Sequence, residues 1–331
     1  YATLMLDRQG RPLAARIAAD QQWRFAPVAR VPDKYRRALL TFEDRRFFYH
    51  PGVDPVAVLR AARDNLAAGR MVSGGSTLTM QLARLLRADP PRTFPEKARE
   101  AVLALQLEWH LDKDEILRQY ASRAPFGGNT VGLRAAAWRY FQRPPEQLSW
   151  AEAALLAVLP NSPALIHPGR DRERLRAKRD RLLETLREQG ALDRDDLALA
   201  RLEPLPRVQA LPSLAPRLLD TLIAGGGAPL LRTTLDADLQ RRVRDLADHH
   251  GQRLGRQGVH NLAVVVIDHR AMAVRAYLGN VNHGDPLTYG AAVDIAARPR
   301  STGSVLKPLL YGSMLDAGQL LPGTLVSDLP T

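Results

Sequence analysis

The stretch LSWAEAALLAVLP, residues 148–160, predicts an apolar helix that ends at Pro160. It lies inside a longer helical pattern that runs from residue 32 to about residue 200. Ahead of that pattern, YATLMLDRQGRPLAARI alternates apolar and polar residues around a turn at residues 7–10. The sequence therefore predicts an α-rich domain that follows an N-terminal β-hairpin.

The composition changes near Glu203, where EPLPRVQALPSLAP is proline-rich and extended. Beyond it the pattern becomes mixed α/β, and LAVVVID predicts a buried strand that pairs with AVRAYLG. We expect a multi-domain chain: a lead-in over residues 1–31, a first domain over 32–202, a linker over 203–232, and the beginning of an α/β domain over 233–331.

Charge and composition restrict the function classes. The absence of cysteine excludes disulfides and thiolate metal sites, and a net charge of +12 favours anionic partners such as nucleic acid, anionic lipid or pyrophosphate. The basic residues are dispersed and no nucleic-acid-binding signature occurs, so we do not expect nucleic acid. No apolar run spans a bilayer, and the chain opens without an initiator Met, so we expect an upstream segment, either a signal or an anchor.

The segment GGSTLTMQLARLL predicts a helix with two distinct faces, and Ser76 could cap it. Thr77, Gln81 and Arg84 share one face, while leucines occupy another. A hydroxyl, an amide and a guanidinium beside a helix N-terminus suit a phosphate group. An ordinary amphipathic helix after a flexible loop is the alternative.

Two acidic positions stand among cations and apolar residues. In TFEDRRFFYHPG, one of Glu43 and Asp44 is a catalyst, or both neutralise the arginines that follow. Glu100 stands at the edge of an apolar stretch, residues 101–107, that we expect to be buried, and it either functions or pairs with Lys97. Paired carboxylates suit acid–base chemistry at sugars, and spacing alone leaves hydrolase and transferase open.

Five segments occur in the order and spacing of a known motif set: EDRRFFYHPGVD, GGSTLTMQLAR, RTFPEKARE, LDKDEILRQY and LSWAEAALLAVLPNSP. The chain thereby resembles the peptidoglycan glycosyltransferases of family 51, the first catalytic domain of class A penicillin-binding proteins. RAPFGGN and QLEWHLDK look most like the 1C-type branch. The resemblance implies an α-rich, lysozyme-like domain that polymerises lipid II on a nascent glycan strand, at the periplasmic face of the bacterial inner membrane.

The resemblance also implies roles for individual residues. Glu43 matches the general base that deprotonates the acceptor 4-hydroxyl, with Asp44 as its orienting partner, and Glu100 matches the acid near the leaving pyrophosphate. The positions that match the groups holding the pyrophosphate and sugars are Ser76, Thr77, Gln81, Arg84, Arg92, Lys97 and Arg99. No cofactor is required. A divalent cation such as Mg²⁺ could assist the pyrophosphate, although no ligand set with metal-like spacing stands out.

Three positions depart from the motifs. Met80 stands where a glutamine is usual, Glu96 stands where an arginine is usual, and Ala121–Ser122 replaces Leu–Asn. Glu96 matters most, because an added acid beside an anionic substrate could weaken binding by about 1 kcal/mol at a solvated site.

Further along, RSTGSVLKPLLYG places Ser304 and Lys307 as S-x-x-K, with the lysine one helical turn from the hydroxyl. The segment resembles the penicillin-binding transpeptidases, in which the serine is acylated by a stem peptide or a β-lactam. Neither S-x-N nor K-T-G follows in this sequence, so we expect the chain by itself not to catalyse transpeptidation.

Two other functions stay open. A lysozyme-like glycosidase or lytic transglycosylase would suit the fold and the acids, although it has no pyrophosphate to hold. A non-catalytic cationic module that binds the cell wall or membrane would suit the net charge. Part of the net charge also suits the membrane leaflet and the lipid carrier. The segment VAVLRAARDNLAAGRM could lie on an anionic membrane surface with Arg60, Arg63 and Arg70 near the headgroups, or form a packed helix with solvated arginines.

Overall fold

The structure, a computed structural model, describes residues 1–70, 74–87, 93–161, 171–281, 288–299 and 301–325. It opens with the predicted hairpin, in which β1 (Thr3–Leu6) and β2 (Pro12–Arg16) are antiparallel. On its other side β1 pairs in parallel with β3 (Leu230–Arg232), so the strand order is β2-β1-β3. This sheet joins the segment before the helical region to the segment after it.

A series of helices fills the chain between β2 and β3. They are α1 (Asp33–Glu43), α2 (Pro55–Ala68), α3 (Leu78–Leu86), α4 (Phe94–His110), α5 (Lys113–Arg123), α6 (Leu133–Phe141), α7 (Trp150–Val158), α8 (Arg172–Glu188), α9 (Arg194–Leu202) and α10 (Pro216–Ala224). Helix starts follow local signals: the Asp54 carboxylate accepts two amide hydrogen bonds at the start of α2, and Asp112 caps α5. The helical pattern of the first domain is confirmed.

Helix α7 forms the centre of the main core. Every residue from Ala151 to Val158 is buried, and the helix packs against α1 and α8. Ser149 and Glu152 form a reciprocal capping box at its start, which satisfies backbone amides that would otherwise be left without a partner. Pro160 lies in the short 3₁₀ turn that follows, so the predicted apolar helix is confirmed.

After β3 the chain forms α11 (Ala237–Gly255), an antiparallel pair of strands β4 (Val264–Asp268) and β5 (Ala273–Leu278), and α12 (Lys307–Asp316). α11 packs on β5, and Asp7 accepts a hydrogen bond from the Ala237 amide at the start of α11. The two-stranded pairing is as predicted.

Two burial expectations are wrong. Residues 101–107 are not buried all round, because α4 packs on α3 and α5 through one side and leaves Val102 and Leu105 56% and 47% exposed. β4 is not a buried strand either, since Val265 and Ile267 are exposed on the face away from α11. Within the described ranges, the helices lack the combination of length and apolar character needed to cross a bilayer.

Candidate active site

Glu43, the last residue of α1, heads a short chain of hydrogen bonds. The Gln81 amide on α3 donates from Nε2 to Glu43 Oε2 at 2.8 Å, and the Tyr120 hydroxyl on α5 donates to Gln81 Oε1 at 3.2 Å. Gln81 therefore presents its N–H to the carboxylate because Tyr120 occupies its oxygen. Three helices fix the position of one half-buried acid.

Two buried tyrosines form the inner wall beside Glu43. Burial raises the pKa of both Tyr35 and Tyr120 well above the usual range, and the nearby Glu43 charge raises each further. Both phenols therefore remain neutral across physiological pH. The carboxylate faces hydrogen-bond donors and apolar rings on this side rather than a second ionised acid.

Asp44 points away from Glu43 into a separate buried network. His50 Nε2 lies 3.1 Å from both Asp44 oxygens, and the Leu78 amide at the start of α3 donates to Asp44 Oδ2 at 3.0 Å. The Gly52 amide donates to His50 Nδ1, which assigns the ring proton to Nε2. Asp44 thus holds the end of α1, the His50 loop and α3 together, which is a positioning role.

The ion-pair interpretation is wrong for Asp44. Arg45 donates to the Thr41 carbonyl, and Arg46 lies 3.6 Å from the Asp54 carboxylate. Both arginines are exposed, whereas Asp44 is buried with His50. The polar contacts of Asp44 and Glu43 described above come from His50, a backbone amide and Gln81 instead.

Thr77, and not Ser76, caps α3: the Thr77 hydroxyl oxygen accepts from the Met80 amide and donates to the Gly52 carbonyl at 2.5 Å. The expected Ser76 cap is off by one residue because either hydroxyl could serve. Ser76 instead accepts a hydrogen bond from Lys97, on the half-exposed side of the site. Thr77 is buried, so its hydroxyl serves the fold of this loop.

Glu100, on α4, is 5% exposed and lies between two cations. Lys97 Nζ lies 3.3 Å from one carboxylate oxygen, and Arg84 Nε lies 3.9 Å from the other. The predicted Lys97 pair is present, but it is joined by Arg84 from a different helix. α3 therefore contacts Glu43 through Gln81 and Glu100 through Arg84, so one polar helix face serves both acids.

The unexpected acid Glu96 is neutralised by its neighbours. Arg87 and Arg99 each place Nη1 2.5 Å from one of its oxygens. These hydrogen bonds lower the pKa of Glu96, which is therefore ionised and fully paired. Arg99, predicted to bind substrate, is thus engaged with Glu96, and the predicted Arg92 lies outside the described residues.

The other two departures from the motifs point into the core. Met80 is 3% exposed among buried apolar side chains of α3. The Ser122 hydroxyl donates to the Arg118 carbonyl one turn back on α5, at 2.7 Å. Neither side chain takes part in the contacts that surround Glu43 and Glu100.

One cation near Glu43 has no counterpart in the sequence prediction. Burial and the neighbouring Arg174 lower the pKa of Lys178 on α8, while the Glu43 charge raises it in part. Lys178 therefore lies within electrostatic range of the predicted base. Nothing local marks it, because α8 carries many basic residues and only its fold position brings this one to Glu43.

Ser304 and Lys307 lie elsewhere, at the start of α12. Both side chains are exposed, and no residue of α12 is buried. The prediction placed Lys307 one helical turn after Ser304. The 3₁₀ turn at Gly303–Leu306, which leads into α12, is compatible with that spacing. Here the lysine is solvated.

Comparison with known proteins gives concordant results. A family model described as Transglycosylase matches residues 9–187, more than half of the chain. The chain is 44% identical over 334 residues to penicillin-binding protein 1C of Escherichia coli (strain K12), covering 99% of this chain and 42% of that protein.

Two more distant relatives extend this result. Penicillin-binding protein 1A of Aquifex aeolicus is 37% identical over 204 residues, 62% of this chain and 28% of that protein. Penicillin-binding protein 1F of Bacillus subtilis is 26% identical over 347 residues, 98% of this chain and 47% of that protein. The chain thus spans less than half of the length of each of these relatives.

Proposed function

The chain belongs to the transglycosylase family, and from that premise we propose that it is a peptidoglycan glycosyltransferase that polymerises lipid II. The observation that supports this most directly is the polar face of α3, which contacts one acid through Gln81 and the other through Arg84. Gln81 donates a hydrogen bond to one acid, Glu43, whereas the other, Glu100, lies between the cations Lys97 and Arg84. Such a difference suits two separate roles.

In the proposed reaction, Glu43 acts as the general base. It would take the proton from the 4-hydroxyl of the acceptor GlcNAc, and that oxygen would attack C1 of the donor MurNAc. The bond from C1 to the pyrophosphate breaks as the new bond forms, so the anomer inverts from α to β. Gln81 fixes the carboxylate without neutralising it, and Lys178 lies within electrostatic range of it.

The leaving group is undecaprenyl pyrophosphate, whose negative charge grows as the bond breaks. Lys97, Arg84 and the Ser76 hydroxyl lie together around Glu100 and could hold that charge. Glu100 orders the two cations, since its carboxylate contacts both. The charge of Glu96 weakens the positive potential around the pyrophosphate only a little, because Arg87 and Arg99 neutralise Glu96.

If a divalent cation such as Mg²⁺ assists the reaction, the pyrophosphate would supply most of its ligands, because Mg²⁺ is usually bound by one or two carboxylates together with substrate phosphates. Among the described residues there is no group of three or more His, Asp or Glu that could hold a metal ion. Glu100 is the carboxylate at this position, and it already lies between Lys97 and Arg84.

The decisive experiment compares the parent chain with Glu43→Gln on two labelled substrates, lipid II and finished glycan. We expect the parent to lengthen glycan from lipid II, and Glu43→Gln to lose at least about 100-fold of that rate, as removal of a general base does. Glu173→Gln, an exposed acid on α8, is the matched control and should behave as the parent.

Two results would reject the proposal. Equal lipid II rates in the parent and Glu43→Gln would remove Glu43 from the mechanism. Shortening of finished glycan by the parent, without growth from lipid II, would favour the lysozyme-like glycosidase or lytic transglycosylase.

We further propose that the chain lies against an anionic membrane surface at the periplasmic face of the inner membrane, where its lipid-linked substrate resides. Along α2 only Ala61 is buried, while Leu59 and Leu66 are 70% and 83% exposed beside the exposed Arg60 and Arg63. Exposed apolar side chains interleaved with arginines are typical of an interfacial helix.

Vesicle co-sedimentation tests the membrane proposal. Binding should be stronger to vesicles with anionic lipid than to neutral ones, and Leu59→Asp with Leu66→Asp should abolish it. Retained binding of the double variant would show that another surface is responsible.

We also propose that residues 233–331 begin a penicillin-binding transpeptidase domain, and that the first domain has a lysozyme-like arrangement of helices. The S-x-x-K segment and the strand pair β4–β5 support the first statement, and the helix-rich core around α7 supports the second. In a complete transpeptidase site, Ser304 would be acylated by a stem peptide or a β-lactam.

A further inference from the structure

A cavity of about 420 Å³ lies between the N-terminal sheet and α6. Its walls come from β1, the turn after it, α6, the segment that follows α6, and β3. None of the candidate active-site residues lines it. A volume of this size suits a small molecule or a few residues of a peptide.

Positive charge dominates the walls, which include Arg11, Arg134, Arg143 and Arg232 against the single acid Glu146. Arg11 pairs with Asp7 at 2.9 Å, and Arg143 lies 3.6 Å from Glu152. Within the described part of the chain, Arg134 and Arg232 take part in no ion pair. Two guanidinium groups are therefore left to act on whatever enters the cavity.

The setting of Arg134 makes this arrangement costly without an anion. The pKa of Arg134 lies below its usual value because burial lowers it; Glu146 raises it in part, and the like charge of Arg232 lowers it again. A bound anion would relieve the repulsion between the two arginines. Arg134 comes from α6 and Arg232 from β3, so a ligand would bridge the two elements.

The rest of the cavity suits a peptide. Leu4, Leu6 and Trp138 are buried and form an apolar floor. Gln9 and Gln142 add amides that can donate to and accept from peptide groups. An apolar floor with a few placed polar groups is the usual make-up of a ligand pocket.

We propose that this cavity binds the carboxylate-bearing end of a short peptide, with Arg134 and Arg232 as the carboxylate clamp. Arginine pairs with carboxylate in a two-point geometry, which gives both charge and direction. The peptides carried by the glycan are the source we assign, and that assignment rests on the proposed function. The peptide of the glycan made by the first domain would then be held beside β3, where the chain passes from the helical domain to residues 233–331.

The test measures binding to the full 331-residue chain by the fluorescence of its tryptophans, of which Trp138 lines the cavity. The probe is the peptide L-Ala-γ-D-Glu-L-Lys-D-Ala-D-Ala. Its fully amidated form should bind at least about tenfold more weakly, because each charged hydrogen bond lost costs roughly that factor. This comparison needs no variant and so does not depend on folding.

Variants then locate the site. Arg134→Gln and Arg232→Gln should each weaken binding of the free peptide about tenfold, while the exposed Arg207→Gln should not change it. Glu43→Gln should bind the peptide as the parent does, so loss of polymerisation and loss of this site are separable.

Several outcomes would overturn the proposal. Equal binding of the free and amidated peptides, or parent-like binding by both arginine variants, would remove the carboxylate clamp. Displacement by an equal concentration of inorganic phosphate would show a general anion site. Equally tight binding of the same peptide made from L residues alone would overturn the assignment to glycan peptides.

Discussion

Asp44→Asn should destabilise the protein, although it only replaces one carboxylate oxygen with an NH₂ group. Asp44 accepts from His50 Nε2 at 3.1 Å and from the Leu78 amide at 3.0 Å, and both donors are buried. Asparagine replaces one of the two oxygens with an NH₂ group, and because His50 Nε2 lies 3.1 Å from both oxygens, that group faces the His50 N–H in either orientation of the amide. His50 cannot relieve this by moving its proton, because its Nδ1 accepts from the Gly52 amide.

The expected loss follows from these contacts. A buried donor that loses its acceptor costs about 1–3 kcal/mol, and a hydrogen bond to a charged group contributes about 1.5–3 kcal/mol. We therefore expect a loss of about 2 kcal/mol in the free energy of unfolding, or roughly a 30-fold change in the unfolding equilibrium. The midpoint of urea unfolding should fall with little change in its slope.

A matched control is Asp64→Asn, which removes a surface pair with Arg63 at 3.0 Å. Exposed pairs contribute about 0–1 kcal/mol, so this variant should stay close to the parent. Asp44→Asn should also slow lipid II polymerisation, because α3 carries Gln81 to Glu43. If the two variants unfold at the same urea concentration, the reasoning about Asp44 is wrong.

Three further predictions concern other parts of the chain. Burial tends to raise the pKa of Asp7, but hydrogen bonds, with Arg11 among the donors, outweigh burial and lower the pKa. Asp7→Asn should therefore lower the free energy of unfolding by about 2 kcal/mol at pH 7, and the difference between variant and parent should vanish as pH falls from about 4 through the lowered pKa of the folded state. A difference in Tm that does not depend on pH would contradict this. Gly52→Ala should destabilise the protein by at least about 2 kcal/mol, since φ is +100° and the added Cβ would lie 2.7 Å from a carbonyl oxygen of α4. The control Gly10→Ala, at φ +83° with nothing within 4 Å of the added Cβ, should destabilise less. Equal losses of stability in urea unfolding would show that the contact with α4 is unimportant. A fluorescent penicillin should fail to label Ser304, because a solvated Lys307 is a poor base; stoichiometric labelling that Ser304→Ala removes would prove this wrong.

Local patterns were enough to predict much of the fold. The apolar run of α7 and the hairpin turn depend on neighbours within a few residues. Burial was harder to predict, because an apolar helix such as α4 can turn its side chains to the core or outward. Its exposed Val102 and Leu105 follow from which helices pack on it, and sequence periodicity does not contain that information.

In the candidate site too, local motifs could be predicted from sequence, whereas contacts that depend on packing could not. Glu43, Gln81 and Arg84 could be identified from motifs and helix spacing, and the structure brings them together with Glu100. Lys178 could not, since its approach to Glu43 depends on how α8 crosses α1. The neutralisation of Glu96 was equally hidden, because Arg87 lies just after the end of α3, nine residues before Glu96 in the sequence.

The parallel pairing of β1 with β3 has a consequence for synthesis on the ribosome. Leu4 pairs opposite Leu230, so 226 residues separate the two partners. At about 5–20 residues per second, β1 would wait roughly 10–45 s before its partner emerges. During that time one edge of the first hairpin stays open, and the apolar Leu4 and Leu6 lack the covering that β3 helps to provide. β1 is therefore made well before the strand that completes its sheet, and chaperone binding would be most useful there.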